Sequence, residues 1–302
     1  MQRHTQDKAV TEIRPLREAA AHAAIPRGGR FFCTERIHRL LTVHILASGS
    51  EGNCLLVSGG GVHLLVDAGI SARRITAGLR ELELSPCDVD GVLLTHEHSD
   101  HTAGLGTLTK HHRLPLYASG GTAEAVGHRI PGVSEVLRVI PRQGVFSIGE
   151  MLVTSFPTSH DASESVDYRF DCGDESVGVL TDTGYVTEEA EAALRGVGLL
   201  VLESNHDEEW LLSGPYPYYL KQRILGRRGH LSNDAAACFA RWMAEEGTRQ
   251  FVLAHLSKEN NTPEKARQTV SYALDGLDAA VTVAPRGEVS GPYTAEVRVC
   301  RE

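Results

Sequence analysis

The stretch "LLTHEHSDH", residues 93–101, puts four side chains of metal-binding type, His96, His98, Asp100 and His101, within six positions. The run "VDGVLL" ahead of it reads as a buried strand. Backbone leaving a strand is extended, so His96 and His98, two apart, project to one side. Asp100 and His101 come where the chain should turn. A set this dense suits two adjacent ions better than one, with one pair of ligands for each.

Further ligand-type residues end other apolar runs: His160 in "TSFPTSH", Asp182 in "VGVLTDTG" and His255 in "FVLAHLS". Asp182 is the natural bridge, because a carboxylate has two oxygens. A set made only of His and Asp fits Zn²⁺, with Mn²⁺ or Fe²⁺ as alternatives. Asp67 ends "LLVDAG" and either orients the H-x-H-x-D-H loop or closes an Asx-turn beside Gly69. "KHH" (Lys110–His112) has no partner at ligand spacing and is assigned to the surface.

The chain of 302 residues has 39 acidic and 30 basic side chains, a formal net charge of −9. That balance argues against coating nucleic acid with the whole surface but allows a local basic track. No apolar run approaches the ~20 residues of a membrane span. The six cysteines include no C-x-x-C pair, and no secretory leader is evident, which suits free thiols in the cytoplasm. Residues 1–40, rich in Ala and Arg and broken by Pro26, are expected to be a poorly ordered extension. A true start near Leu41 or Val43 is the alternative. From 41 to 302 a single domain is expected, in which apolar strands alternate with helices and hairpins. That is an α/β (α+β) pattern of mixed sheets covered by helices. Ser232 reads as the N-cap of a helix through "NDAAACFARWMAEEG", and Pro263 as a first-turn residue of another.

One segment has a different charge. "GPYPYYLKQRILGRRGHLSN", residues 214–233, has Lys221, Arg223, Arg227 and Arg228, the tyrosines 216, 218 and 219, and no acid. By itself it reads as a solvated loop. Its cations suit phosphates, and Tyr216 and its neighbours suit stacking on bases, although one or two of them are expected to pack against the core. It ends at His230, just ahead of the Ser232 cap, where a helix N-terminus favours an anion. His230 is the candidate general acid, and Glu203, ending "GLLVLE", the residue that orients it. His206 is either a site-rim residue, supporting the site beside Asp67, or a structural histidine. The small-residue loop "ASGSEGN" is a candidate for the same mouth.

"THEHSDH" followed by His160, Asp182 and His255 resembles the metallo-β-lactamase superfamily. "ILASGSEGNCLLV", "HDASESVDYRF", "LTDTG", "ESNHD" and "LAHLSKENN" are similar to its YycJ/WalJ/VicX-type branch, over about residues 43–300. The resemblance implies an αβ/βα sandwich of two mixed sheets with a two-metal site at one edge. It also implies phosphodiesterase chemistry on nucleic acid, as a 5′-to-3′ DNA exonuclease. Competing readings are a small-molecule hydrolase of the same fold (a cyclic phosphodiesterase or glyoxalase-type thioesterase) and a non-catalytic regulatory binding protein. The intact ligand set argues against the last. Oligomeric state is not legible.

Overall fold

The computed structural model describes residues 40–295. The expected extension therefore falls, but for Leu40, outside the described residues. Two seven-stranded sheets lie face to face. In the first, β1 (Thr42–Ala47), β2 (Cys54–Gly59) and β3 (Val62–Val66) form an antiparallel meander, and β4 (Gly91–Leu93), β5 (Leu116–Ala118) and β6 (Leu137–Val139) continue it in parallel. In the second, β7 (Gly144–Ile148), β8 (Met151–Pro157), β9 (Val166–Cys172) and β10 (Glu175–Leu180) are antiparallel, and β11 (Leu199–Glu203), β12 (Gln250–Ala254) and β13 (Ala280–Val283) run parallel to β10. The two halves thus repeat one plan, meander then parallel strands. The last strand, β14 (Ser290–Thr294), leaves its own half and pairs with β1.

Period-two alternation sorts the side chains into layers. Val177, Val179, Leu199 and Val201 point between the sheets, where they meet Val43, Val57, Leu64, Tyr168 and Phe170. Leu180, Leu200 and Leu202, offset by one residue, point outward. There they meet α5 (Glu188–Leu194), α8 (Asn233–Glu245) and α9 (Pro263–Ala273) through Leu194, Phe239, Met243 and Val270. The first sheet's outer face packs Leu56, Leu65 and Val92 on α1 (Ala72–Glu81), α3 (Leu105–His112) and α4 (Gly120–Arg129) through Ile75, Leu79, Leu105 and Val126. Strands buried on both faces read as unbroken apolar runs, which is why "VGLLVL" looked like a core strand. Removing one such side chain, as in Leu200→Ala, should cost ~2–5 kcal/mol.

The remaining helices are short: α2 (Ser99–Thr102), α6 (Glu208–Ser213) and α7 (Tyr218–Leu225). Among the described residues, no helix is long and apolar enough to cross a membrane. The arrangement is the αβ/βα sandwich expected from the resemblance.

Candidate metal centre and active site

The C-terminal ends of β3, β4, β8, β10, β11 and β12 release Asp67, His96, His160, Asp182, Glu203 and His255 toward one edge of the sandwich. Three of these, Asp67 (φ 61°), Asp182 (φ 48°) and His255 (φ 55°), have left-handed backbone, which bends the chain sharply as it leaves the sheet. For residues other than glycine this conformation costs ~1–3 kcal/mol. Two glycines make room for the loops. A Cβ on Gly69 would lie 1.6 Å from Asp100 O, and one on Gly184 would lie 2.4 Å from the Arg227 backbone. Gly69 therefore lets the H-x-H-x-D-H loop settle on the β3 exit, where Ala68 N donates to His101 O (2.9 Å) and Asn53 N to Asp100 O (2.8 Å).

The ligand-type atoms converge in four overlapping groups, and two of them, with Asp182 between, describe the centre. His98 Nδ1 is approached by His96 Nε2 at 3.0 Å and by His160 Nε2 at 3.3 Å. Asp100, His101 and His255 form the second group, with Asp100 Oδ2 3.5 Å from His101 Nε2 and 3.9 Å from His255 Nε2. Asp182 lies between them. Its Oδ2 is 3.1 Å from His101 Nε2, and its Oδ1 is 3.8 Å from His160 Nε2 and 3.4 Å from His255 Nδ1. Asp182 Oδ2 and His255 Nε2 are buried and make no hydrogen bond of acceptable geometry. Buried acceptors aimed at one another without protons to share are costly unless a cation satisfies them. The donor set therefore fits divalent ions.

The far side of four of the five imidazoles is held, while His98 turns Nδ1 itself to the centre. His101 Nδ1 meets Asp67 Oδ2 at 2.7 Å, His255 Nδ1 meets Glu203 Oε1 at 2.9 Å, His160 Nδ1 meets Gly229 O at 3.1 Å, and His96 Nδ1 meets Thr95 Oγ1 at 3.0 Å. A partner at Nδ1 leaves Nε2 to face the centre. Asp67 is itself fixed by Thr95, whose N and Oγ1 donate to its two oxygens at 2.9 and 2.8 Å. Its carboxylate thus holds the His101 ring, a contact that a plain Asx-turn would not make.

Glu203 is fully buried and accepts four hydrogen bonds. Oε1 takes His230 Nδ1 (2.8 Å) and His255 Nδ1 (2.9 Å), and Oε2 takes the amides of Thr183 (3.0 Å) and Leu231 (3.2 Å). Burial would raise its carboxyl, but the neighbouring His230 and His255 outweigh that and hold it down to about 2. The same competition acts at Asp182, where burial is outweighed by His255 and His101 and the carboxyl falls well below the usual range. Burial would lower His230, but Glu203 and Asp182 raise it above the usual imidazole value.

A cavity of about 380 Å³ opens over the centre. His98, Asp100, His160, Asp182, His230 and His255 reach its wall, together with Tyr216, Leu220, Arg223 and Ile224 from the basic segment. Ser50 of the "ASGSEGN" loop lines it too. The basic segment is therefore not a plain loop. Over α7 it is helical, and Leu220, Arg223 and Ile224 share one face at i, i+3 and i+4 spacing. Leu220 and Ile224 were the signal for this helix, masked by Pro215 and Pro217.

Other expected contacts fall elsewhere. Lys221 Nζ donates to Leu212 O (2.6 Å) and Gly214 O (2.8 Å), away from the cavity. Arg228 braces the loop after β8 through His160 O (3.1 Å) and Ala162 O (3.3 Å), and Arg227 lies over the Tyr185 ring at 4.4 Å. Ser232 is the α8 cap, its Oγ accepting from Ala235 N at 3.2 Å. It is buried and does not reach the cavity, so direct substrate contact by its side chain does not follow. None of the three tyrosines packs into the core: Tyr216 is half-buried, and Tyr218 and Tyr219 are 76% and 74% exposed. His206 is buried, yet neither ring nitrogen has a partner, so it supports no ligand and does not form the rim. Burial pushes its imidazole down to about 4.

Two residues went unnoticed in the sequence. Asp161, next to His160, lies 3.4 Å from His160 Nε2 and 2.6 Å from Arg223 Nε. Asp167, fully buried on β9, accepts from Thr181 N at 2.6 Å and so sets the backbone just ahead of Asp182.

An edge site of paired His/Asp clusters on this sandwich defines a metal-dependent hydrolase. The chain belongs to the metallo-β-lactamase superfamily, in its YycJ/WalJ-type branch. A family model described as a beta-lactamase superfamily domain matches residues 63–256. The chain is 42% identical over 232 residues to exodeoxyribonuclease YycJ of Bacillus anthracis, covering 76% of this chain and 88% of that protein. It is 40% identical over 255 residues to exodeoxyribonuclease WalJ of Streptococcus pneumoniae, covering 83% and 94%. Among solved structures, the metallo-beta-lactamase fold protein YhfI of Bacillus subtilis superposes with a TM-score of 0.63 at 20% identity, covering 83% of this chain and 99% of that one.

Proposed function

We propose that this protein is a two-metal phosphodiesterase that shortens DNA strands from the 5′ end, in the cytoplasm. The observation that carries the reading is the pairing of a strand-end ligand set with His230, whose Nδ1 is fixed by a buried carboxylate while the ring lines the same cavity. The names of the two relatives support DNA as the substrate.

His96, His98 and His160 with Asp182 would hold one ion, and Asp100, His101 and His255 with Asp182 the other. When bound, zinc or manganese ions, with iron as the alternative, supply activation of water and polarisation of the phosphoryl oxygen. The protein's own groups do the rest. Asp67, Glu203 and Gly229 O keep the imidazoles aimed. His230 carries a proton at Nε2 and gives it to the departing oxygen, a poor leaving group in DNA. Glu203, accepting from Nδ1–H, stabilises the doubly protonated imidazolium from which that proton leaves. Arg223 and Tyr216 meet the strand at the cavity mouth, where a guanidinium suits a phosphate and an aromatic ring suits a base. Lys221, Arg227 and Arg228 shape the segment around them.

An end-labelled digestion panel tests this, with DNA and RNA, single and double stranded, bearing 5′-phosphate or 5′-hydroxyl. The expected result is stepwise loss of a 5′ label from DNA with metal present. No digestion of any strand, alongside turnover of S-lactoylglutathione, would move the protein to the thioesterase reading.

A further inference from the structure

Beside the active-site cavity is a smaller hollow of about 90 Å³, lined by Ser48–Gly52, Arg74, Lys258, Arg286 and Gly287. Three fixed cations from separate parts of the fold converge there: Arg74 from α1, Lys258 three residues past His255, and Arg286 from the turn after β13. One acid faces them. Glu51 is 3.0 Å from Lys258 Nζ. The local balance is +3 − 1 = +2, in a chain whose net charge is −9.

Holding these cations together is unfavourable unless an anion sits among them. In the basic segment near α7, Lys221 and Arg228 are bound to backbone oxygens and Arg223 is paired with Asp161. Here the Arg74 guanidinium has no hydrogen-bond or ion-pair partner among the described residues. Arg286 is anchored by Nη2 on Ser257 O, at 2.6 Å, which leaves the rest of its fork of donors available. Glu51 already behaves as a resident anion, because Lys258, Arg286 and Arg74 together hold its carboxyl low. The floor is preset: Gly49 (φ 132°) and Gly52 (φ 150°) adopt backbone that other residues avoid, and the Gly49 amide is tied to Asn53 Oδ1 at 2.9 Å.

The hollow is continuous with the site. Ser50 lines both cavities, Ser257 lines the larger one while accepting from Arg286, and His255 N donates to Ser48 Oγ at 2.8 Å. We propose that Arg74, Lys258 and Arg286 form a subsite for a second phosphate of the strand, next to the one at the metal centre. This rests on the nucleic-acid reading above. The phosphate is either the 5′-terminal monoester or a backbone diester, and both present the same oxygens to the cations.

The test uses metal-loaded protein and a fluorescent ten-nucleotide dT strand with phosphorothioate linkages, with and without a 5′-phosphate. Binding is followed by anisotropy across a salt series. Arg74→Gln/Lys258→Gln/Arg286→Gln should weaken binding about tenfold. It should also flatten the slope of log affinity against log salt by ~0.7 for one phosphate released. Loss confined to the 5′-phosphorylated strand identifies the monoester, and equal loss on both identifies the diester. Glu51→Gln, which removes the competing anion, should tighten binding, a gain that misfolding cannot imitate. If the triple variant and Glu51→Gln both bind like wild type, the subsite is overturned and the exonuclease reading stands. If wild type binds both strands with these effects but degrades no natural DNA, the subsite stands and the exonuclease reading falls. If wild type binds neither strand, both fall.

Discussion

Glu203→Gln is the sharpest test of how the centre is held, because all four partners of that carboxylate are donors. The amide puts an NH₂ where one oxygen stood. Whichever way it turns, that NH₂ faces two N–H groups. Two bonds to a charged acceptor are lost, at ~1.5–3 kcal/mol each. The acidity of Glu203 gives an independent figure. Its carboxyl sits at about 2 against a usual 4.5, which corresponds to ~3 kcal/mol. The sign is that of a depressed acid: the stabilisation is present above the unfolded value and is lost as pH falls through about 2. The two routes together give roughly 3–6 kcal/mol, a drop in melting temperature on the order of 10 °C for a domain of this size. The backbone amides cannot move, so the NH₂ turns toward the imidazoles. His255 then moves its own proton to Nε2, the atom meant for metal, and affinity should fall ~10–100-fold. Thermal unfolding at pH 7.5 and metal retention against a chelator read both effects. A variant melting within ~2 °C of wild type, with both ions held as tightly, would refute the shared-carboxylate account.

Three further outcomes are expected. His230→Ala should lose ~10²–10⁴-fold on DNA but far less on bis(p-nitrophenyl) phosphate, whose leaving group departs without a proton. Equal losses with metal retained would make His230 a positioning residue. Metal analysis should approach two ions per chain in wild type and fall to one or none in Asp182→Ala, with no change in His111→Ala, and a wild-type ceiling of one ion would remove the bridge. For His206, buried and held neutral down to about 4, the stabilisation is full above the unfolded imidazole value of ~6.5 and shrinks by about 2 kcal/mol at pH 5. His206→Leu should therefore flatten the stability profile between pH 7 and pH 5, and an unaltered profile would show that His206 is hydrated there.

The seven ligand candidates were legible because each follows an apolar run, and strand ends are where a sheet delivers side chains to an edge. The same rule left His206, which also follows a strand, open between the site rim and a structural place. Alternation says which way a side chain points only while the backbone stays extended, and beyond the strand the local φ decides. Asp182 and His255 turn left-handed and face the centre. His206 instead makes a bridge with Ser232 and keeps its ring among buried neighbours. Asp161 was illegible for another reason: its role depends on Arg223, 62 positions away, and no local pattern pairs them. β7, half-buried at a sheet edge, had too weak an apolar signal to be noticed. The sharing of Glu203 between His230 and His255 joins three loops and depends on packing alone.

The centre draws His96–His101 from one sheet and His160, Asp182 and His255 from the other. An ion held between His98 and His160 closes a loop of 62 residues, as a cross-link would. Unlike a disulfide, this cross-link is on loan from solution. Above its dissociation constant, each tenfold change in free metal should alter the stability of the fold by about 1.4 kcal/mol per site. With ions bound as proposed, part of what keeps the two halves of this chain together would be the metal concentration around it.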